Sequence, residues 1–229
     1  MKNALTIFQK QLKDTLKNKE VLIQFIMFPV MAVIMTNIIH IEGMPRTYFP
    51  NLFASMFIGM SPLTSMASII AEEKEKNTLR VLLMSNVHPV EYLLGVGCYI
   101  WLICMLGSSV FCVTGGYQGK QALFFLLAMA AGILTSLTIG AAIGTWSKNQ
   151  MAATSLTVPV MMLFSFLPML STFNETIAKI AKVTYSQQVN LLFSQIHDLQ
   201  LRTENVVIIS LNMAIAFLLF FYAYKKSGL

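Results

Sequence analysis

Apolar residues fall into six long runs along the chain, and polar residues are concentrated between them. The runs cover residues 21–41, 49–71, 92–114, 122–146, 151–173 and 206–224, and none of them contains Asp, Glu, Lys or Arg. Each is close to the length of about 20 residues that an α-helix needs to cross a bilayer. Because lipid offers the backbone no hydrogen-bond partner, such a segment must be helical. The pattern predicts an all-α integral membrane protein with six transmembrane helices.

The segment before the first run, residues 1–20, has a different pattern. Leu5, Phe8, Leu12 and Leu16 recur every three or four positions, and lysines occupy positions between them. A basic amphipathic helix of this kind lies in the interface of a membrane rather than across it. We therefore expect an interfacial helix at residues 1–20, followed by a six-span domain at residues 21–229.

Lysine and arginine residues are distributed unevenly between the two sides of the membrane that the six runs would cross. If the N-terminus is cytoplasmic, eleven of the sixteen lysines and arginines lie on the cytoplasmic side. These eleven are Lys2, Lys10, Lys13, Lys17, Lys19, Lys74, Lys76, Arg80, Lys148, Lys225 and Lys226. Cytoplasmic loops of membrane proteins are enriched in lysine and arginine. The distribution therefore predicts that both termini face the cytoplasm.

The first long connection, residues 72–91, is highly charged and cytoplasmic in this topology. Glu72 and Lys76 stand four residues apart, a spacing that supports a helix continuing out of the second span. Asn77 or Thr78 can cap a new helix after it. That helix would carry an apolar face and end near residues 88–89, before the third span. The face consists of Leu79, Leu82 and Leu83. A short amphipathic helix of this kind can fit a groove on a partner protein.

The second long connection, residues 174–205, is extracellular in the same topology. It carries apolar residues at helical spacing, first around Ile177 and Ile180 and again from Val189 to Ile196. We expect short helices here that lie against the outer surface.

The number and position of charged residues argue against two classes of function, nucleic-acid binding and ion-coupled transport. Charged residues make up 11% of the chain, against about 25% in soluble domains, and the formal net charge is +6. Because the positive residues lie at span ends, their excess indicates membrane orientation rather than nucleic-acid binding. Ion-coupled carriers use ionisable residues within their spans, and the six runs contain no acidic or basic residue. The energy for any transport is therefore expected to come from a partner.

The charged connection resembles a signature of the ABC-2 type permeases, the membrane subunits of ATP-binding-cassette exporters. Members of that family often read Glu-x-Glu-x-Gly-Thr-Leu-x-x-Leu-Leu, followed by a proline and by a Gly-Lys pair that opens the next span. The matching residues are Glu73, Glu75, Thr78, Leu79, Leu82, Leu83 and Gly95. The N-terminal surface helix, the six spans and an outer re-entrant segment between the fifth and sixth spans extend the resemblance over nearly the whole chain.

Three positions depart from the family pattern. Asn77 stands where glycine is usual, although asparagine also tolerates the left-handed conformation. The proline is displaced to Pro89, and Val96 replaces the lysine after Gly95. These departures affect the expected contact geometry of the connection rather than the resemblance itself.

The resemblance implies a permease dimer with two separate ATPase subunits beneath it in the bacterial cell membrane. ATP and Mg²⁺ would bind to the ATPase, and no cofactor is expected in this chain, which lacks a Gly-x-x-x-x-Gly-Lys-Ser/Thr phosphate loop. No catalytic or metal-binding residue is expected, because the chain would not itself be an enzyme. The residues implied to couple to the ATPase are Glu72, Glu73, Glu75, Lys76, Thr78, Leu79, Arg80, Leu82 and Leu83.

A substrate path is expected along the second and fifth spans. These spans carry helix-breaking prolines and hydroxyl side chains, and in the family they commonly face the partner permease. The candidate residues are Ser61, Pro62, Thr64, Ser65, Ser155, Thr157, Pro159, Phe164 and Pro168.

The substrate is expected to be an amphipathic or hydrophobic molecule, such as a peptide, toxin, drug or lipid. Sixteen methionines, whose side chains adapt to irregular surfaces, favour this class over a long sugar. A non-transporting immunity or scaffold protein is an alternative, and an ion-coupled carrier is a weaker one.

Overall fold

The computed structural model describes residues 2–17, 19–39, 42–84, 87–196 and 202–227, and over these residues the chain is helical with no strand. The described part contains α1 (Lys2–Lys17), α2 (Lys19–Ile38), α3 (Tyr48–Glu75), α4 (Thr78–Met84), α5 (Pro89–Gly115), α6 (Gly119–Trp146), α7 (Gln150–Leu170), α8 (Glu175–Ala181), α9 (Tyr185–Ser194) and α10 (Thr203–Ser227). The all-helical prediction is therefore confirmed.

Five helices of the described chain are long and apolar enough to cross a membrane, namely α3, α5, α6, α7 and α10. The first predicted run corresponds to α2, whose apolar part, Leu22–Ile38, is shorter than the other five. Two residues at the end of that run, His40 and Ile41, lie outside the described residues. Several helices extend beyond their runs into charged sequence, and α3 continues to Glu75.

The bundle is built around α3, which packs against α2, α5, α6, α7 and α9. Small residues allow this close approach: a Cβ added at Gly59 would lie 2.6 Å from the α7 backbone at Phe164 and Ser165. On α6, Gly140 and Gly144 lie against the α3 backbone in the same way. These two glycines therefore form a close helix contact within the subunit.

The proline in the middle of α3 is compensated by its neighbours. Pro62 has no N–H, so the carbonyl of Ile58 loses its partner within the helix. The Ser136 hydroxyl of α6 donates to this carbonyl at 2.5 Å and lies 2.6 Å from the Tyr185 hydroxyl of α9. Burial raises the pKa of the Tyr185 phenol, against a smaller opposing effect of the Ser136 hydrogen bond, so the hydroxyl keeps its proton.

Helix α9 differs from the expectation that the helices between the fifth and sixth spans lie on the outer surface. Tyr185, Val189 and Phe193 are all 2% exposed or less, and the helix is enclosed by α3, α6, α7 and α10. The Phe193 ring stacks on Phe125 of α6, with centroids 4.6 Å apart. The first five residues of α9 are buried, including the polar residues at 186–188, whereas most of α8 is exposed.

Helix α1 packs along α5 with a face that only partly matches the predicted apolar face. Ile7 is 5% exposed, and the Phe8 ring makes an edge-on contact with Tyr99 at 6.0 Å. A Cβ at Gly95 would lie 2.8 Å from the Ala4 carbonyl oxygen, which explains the glycine at this crossing. Leu5 and Leu12 stay exposed, and the Leu16 side chain lies outside the described residues.

Candidate functional site

The charged residues 72–76 at the end of α3, here called the charged junction, connect three other helices to α3. Glu73 is 6% exposed, and its Oε1 atom accepts a hydrogen bond from Lys10 Nζ at 2.8 Å and another from Gln11 Nε2 at 3.0 Å. Lys10 and Gln11 belong to α1. A buried carboxylate requires partners of this kind because desolvation of an unpaired charge is costly. Glu73 therefore holds α1 against α3.

The next two junction residues bind the ends of α6 and α7. Lys74 Nζ donates to the carbonyl oxygen of Thr145 at 2.6 Å, one residue before α6 ends. Glu75 accepts a hydrogen bond from the backbone N–H of Gln150, the first residue of α7, at 2.8 Å. A cation at a helix C-terminus and an anion at an N-terminus are both favoured by unpaired backbone groups and by the helix dipole.

Sequence reasoning did not single out Lys74. In the family signature, Lys74 occupies a variable position between the two glutamates, so no motif marks it. Its role depends on the loop from α6 to α7 passing beside α3, which the chain's local sequence does not reveal.

The Glu72–Lys76 pair acts locally. Lys76 Nζ lies 2.5 Å from Glu72 Oε1, which is the predicted i, i+4 contact. This hydrogen bond to Glu72, together with the nearby negative charge, raises the pKa of the Lys76 ammonium. Both side chains are outside the bundle, so the pair stabilises the last turn of α3 without joining it to another helix.

A two-residue turn leads from α3 into α4. Asn77 has a φ of +55°, the left-handed conformation that favours glycine and that asparagine also accepts. Thr78 Oγ1 donates to the carbonyl oxygen of Glu73 at 3.1 Å. The turn therefore ties the beginning of α4 directly to the end of α3.

The exposed face of α4 differs from the predicted one. Leu79 is 4% exposed and packs inside the subunit, beside a small void of about 20 Å³ that Ile70 and Tyr92 also line. Leu82 is partly buried against the core, and the Leu83 side chain lies outside the described residues. Ile70 of α3 and Tyr92 of α5 lie on this side of α4, so part of the apolar face that was expected to fit a partner's groove is covered within the subunit.

A different apolar surface of α4 remains outside. Val81 is 61% exposed and Met84 is 80% exposed, and Arg80, which directly precedes Val81, is exposed as well. A cleft of about 360 Å³ lies nearby, between α1 and the charged junction, with Asp14, Glu72 and Lys76 among its lining residues.

The predicted path residues of α3 face α2 rather than α7. Ser61 is fully buried, and its hydroxyl donates to the carbonyl oxygen of Gln24 at 2.8 Å. The Gln24 side chain also contacts Thr64 and Ser65. Pro62 is buried beside them. These residues form the contact between α2 and α3.

The predicted path residues of α7 divide between two faces. Thr157 and Pro168 are buried, and the Phe164 ring lies 4.8 Å from that of Tyr185. Ser155 and Pro159 are exposed on the opposite side of the helix. The structure therefore brings α3 and α7 into direct contact but does not gather the nine candidate residues on one surface.

Comparison with known protein families gives a match that covers nearly the whole chain. The family model described as "ABC-2 family transporter protein" matches residues 1–224. No curated protein matches the sequence.

Proposed function

Because this chain belongs to the ABC-2 family of transporter proteins, we propose that it is the membrane-spanning subunit of an exporter driven by ATP hydrolysis in a separate ATPase. The family implies a multi-pass membrane protein that works with an ABC ATPase. Transport out of the cell, coupling to ATP and the class of substrate are parts of the proposal.

The observation that carries the proposal is the charged junction beside α4. Helix α4 is linked to α3 by a two-residue turn, in which Asn77 has the left-handed conformation. The junction residues Glu73, Lys74 and Glu75 bind α1, α6 and α7. A force applied to α4 would therefore reach the middle of α1 and the ends of α3, α6 and α7 together. This arrangement suits a subunit in which a partner's ATP-driven movement changes the access of the bundle from one side to the other.

The membrane arrangement follows from the same elements. We place six spans in the bacterial cell membrane, counting α2 as the first, with the charged junction and both termini in the cytoplasm. Leu5 and Leu12 of α1 are exposed, and in this arrangement they enter the lipid interface while Ile7 holds the helix to α5.

The partners are an ABC ATPase, which binds ATP and Mg²⁺, and a second permease copy. Exposed Arg80, Val81 and Met84 replace the buried leucines as the proposed ATPase contact. For the path of an amphipathic or hydrophobic substrate, exposed Ser155 and Pro159 of α7 remain candidates, on a face that the second copy could share.

Copurification with the ATPase tests this function. The tagged chain, purified from its native membrane, is expected to retain an ABC ATPase and to hydrolyse ATP. A Val81→Asp, Met84→Asp double variant should reduce the amount of bound ATPase by at least about tenfold. Both side chains are exposed in the free subunit, and burying each of them against the ATPase would contribute roughly 1.5–3 kcal/mol to binding.

The matched control is Val81→Ile with Met84→Leu, which keeps the surface apolar and should keep the ATPase. Equal recovery of ATPase with both double variants would contradict docking on α4. Recovery of no ATPase with the unaltered chain would favour the immunity or scaffold alternative.

A further inference from the structure

A polar cavity lies at the end of α3 opposite the charged junction. Its volume is about 610 Å³, within the range of roughly 300–1,000 Å³ that ligand sites occupy. The loop before α3, the first turn of α3, the end of α7, and α8 and α9 all contribute to its walls. Neither the charged junction nor the candidate path residues line it.

The cavity has an apolar wall and a polar wall. Leu52, Leu191 and Phe193 supply apolar surface, while Asn51 and Gln187 present side-chain amides. Mixed walls of this kind suit an amphipathic ligand, because the apolar groups give affinity and the polar groups fix orientation.

One charge sets the electrostatic character of the cavity. Lys182 at the end of α8 is exposed, and among the described lining residues it is the one charged side chain. Its ammonium makes no ion pair with any described residue, and its backbone carbonyl accepts a hydrogen bond from the Gln188 side chain. The cavity therefore favours an anionic group.

The amides are oriented by neighbours that use their oxygen atoms. Asn51 Oδ1 accepts a hydrogen bond from the Tyr117 hydroxyl at 2.7 Å, and Gln187 Oε1 accepts one from Ser171 Oγ at 3.0 Å. Gln187 is 6% exposed, so its amide is fixed within the wall. Within the described part of the chain the amide N–H groups of both residues have no hydrogen-bond acceptor, so they can donate to acceptor oxygens of a ligand.

We propose that this cavity binds the carboxylate end of an amphipathic peptide, with Lys182 opposite the carboxylate and the Asn51 and Gln187 amides opposite backbone carbonyls. Peptide units match the amide donors, and the apolar wall accepts the side chains. The proposal rests on the proposed function in one respect, namely that the cavity opens on the outer side of the membrane and receives the substrate as it leaves the transporter.

Binding without ATP or ATPase tests the site. The full chain in lipid nanodiscs is titrated with a fluorescein-labelled amphipathic dodecapeptide that has a free C-terminal carboxylate, and with its C-terminally amidated twin. The free acid is expected to bind about fivefold more tightly, the upper end for an exposed ion pair. Lys182→Gln should remove this preference.

Lys179→Gln is the matched control, because Lys179 is an exposed lysine on the same helix that does not line the cavity. This variant should keep the preference for the free acid. Both variants alter exposed side chains, and unchanged thermal unfolding confirms that they are folded.

Equal affinity of the acid and amide peptides, or equal effects of the two lysine variants, would overturn the proposal. So would Lys182-dependent binding of dihexanoyl phosphatidylglycerol with no binding of the peptide, since the occupant would then be a lipid headgroup. These outcomes leave ATPase copurification unaffected, so failure of the site and failure of the exporter function are distinguishable.

Discussion

At the scale of single residues, small and polar side chains make contacts between helices that the large apolar side chains of the core do not provide. Gly59 and Gly140 let backbones approach closely, and Ser136 replaces a hydrogen bond that Pro62 removes. Glu73 is buried with partners from another helix. In a bilayer, an apolar side chain gains little free energy by moving from lipid into the protein interior. Close packing and hydrogen bonds must therefore hold the helices together.

Gly59→Ala is expected to destabilise the subunit by about 1–3 kcal/mol, the usual cost of overpacking. A Cβ at this position would lie 2.6 Å from the α7 backbone, which cannot move as a side chain can. The measurement is the thermal unfolding midpoint of the purified protein in detergent.

Gly97→Ala serves as the control, because it lies inside α5 and a Cβ there meets nothing within 4 Å. Alanine exceeds glycine in helix propensity, so this variant should unfold at the same temperature or higher. A lower midpoint for Gly97→Ala than for Gly59→Ala would contradict the assigned packing.

At the scale of elements, α9 and α4 are short helices whose buried faces lie inside the subunit. The sequence predicted a helix in each place, but α9 enters the bundle and α4 turns Leu79 inward. Each is tied to α3. Ser136 of α6 links Tyr185 of α9 to the Ile58 carbonyl of α3, and Thr78 links α4 to the end of α3. Movement of α3 would therefore act on both.

The contact of α9 is tested by comparing Ser136→Ala with Tyr185→Phe. Ser136→Ala leaves the Ile58 carbonyl and the Tyr185 hydroxyl without this partner, and two unsatisfied buried groups cost about 1–3 kcal/mol each. Tyr185→Phe removes one hydrogen bond and keeps the bond from Ser136 to Ile58, so it should cost only about 0.5–1.5 kcal/mol.

The measurement is again thermal unfolding in detergent, supplemented by proteolysis of the segment around α9. The serine variant should be the less stable of the two and should expose α9 to protease earlier. If Tyr185→Phe were the more damaging, the serine would not be the central member of this contact.

At the scale of the whole molecule, α3 runs from the polar cavity to the charged junction and contacts most of the other helices. Its two ends differ in chemistry: one carries charged side chains that bind helix ends, and the other has amides and one lysine around open space. This polarity agrees with a subunit that meets a partner at one end and a ligand at the other.

Reporter fusions test the orientation. Alkaline phosphatase, which is active only outside the cytoplasm, should be inactive after the C-terminal residue and active when inserted after Phe173. That turn lies between α7 and α8 and is exposed, so an insertion there should not disturb the bundle. A cytoplasmic reporter such as green fluorescent protein is the control and should give the opposite pattern. Phosphatase activity at the C-terminus alone would reverse the topology.

The sequence determined the elements that depend on local composition. The helical class, five of the six expected apolar spans, the amphipathic first helix and the turn at Asn77 could all be predicted, because hydropathy, helical spacing and backbone preference act over a few neighbouring residues. The family could also be identified from the signature around Glu73 and Glu75, and the match over residues 1–224 confirms it.

Only the tertiary structure decided which face of each helix meets which neighbour. Ser61 lies on a long apolar helix whose sequence shows no preferred face, so its burial could not be identified. The apolar residues of α4 and α9 could be identified, but not that they pack inside the subunit. Lys74 and Glu75 bind residues more than 70 positions away, and such pairings depend on how the helices assemble. The polar cavity depends on this assembly as well, because its walls come from segments that are adjacent only after the bundle has formed.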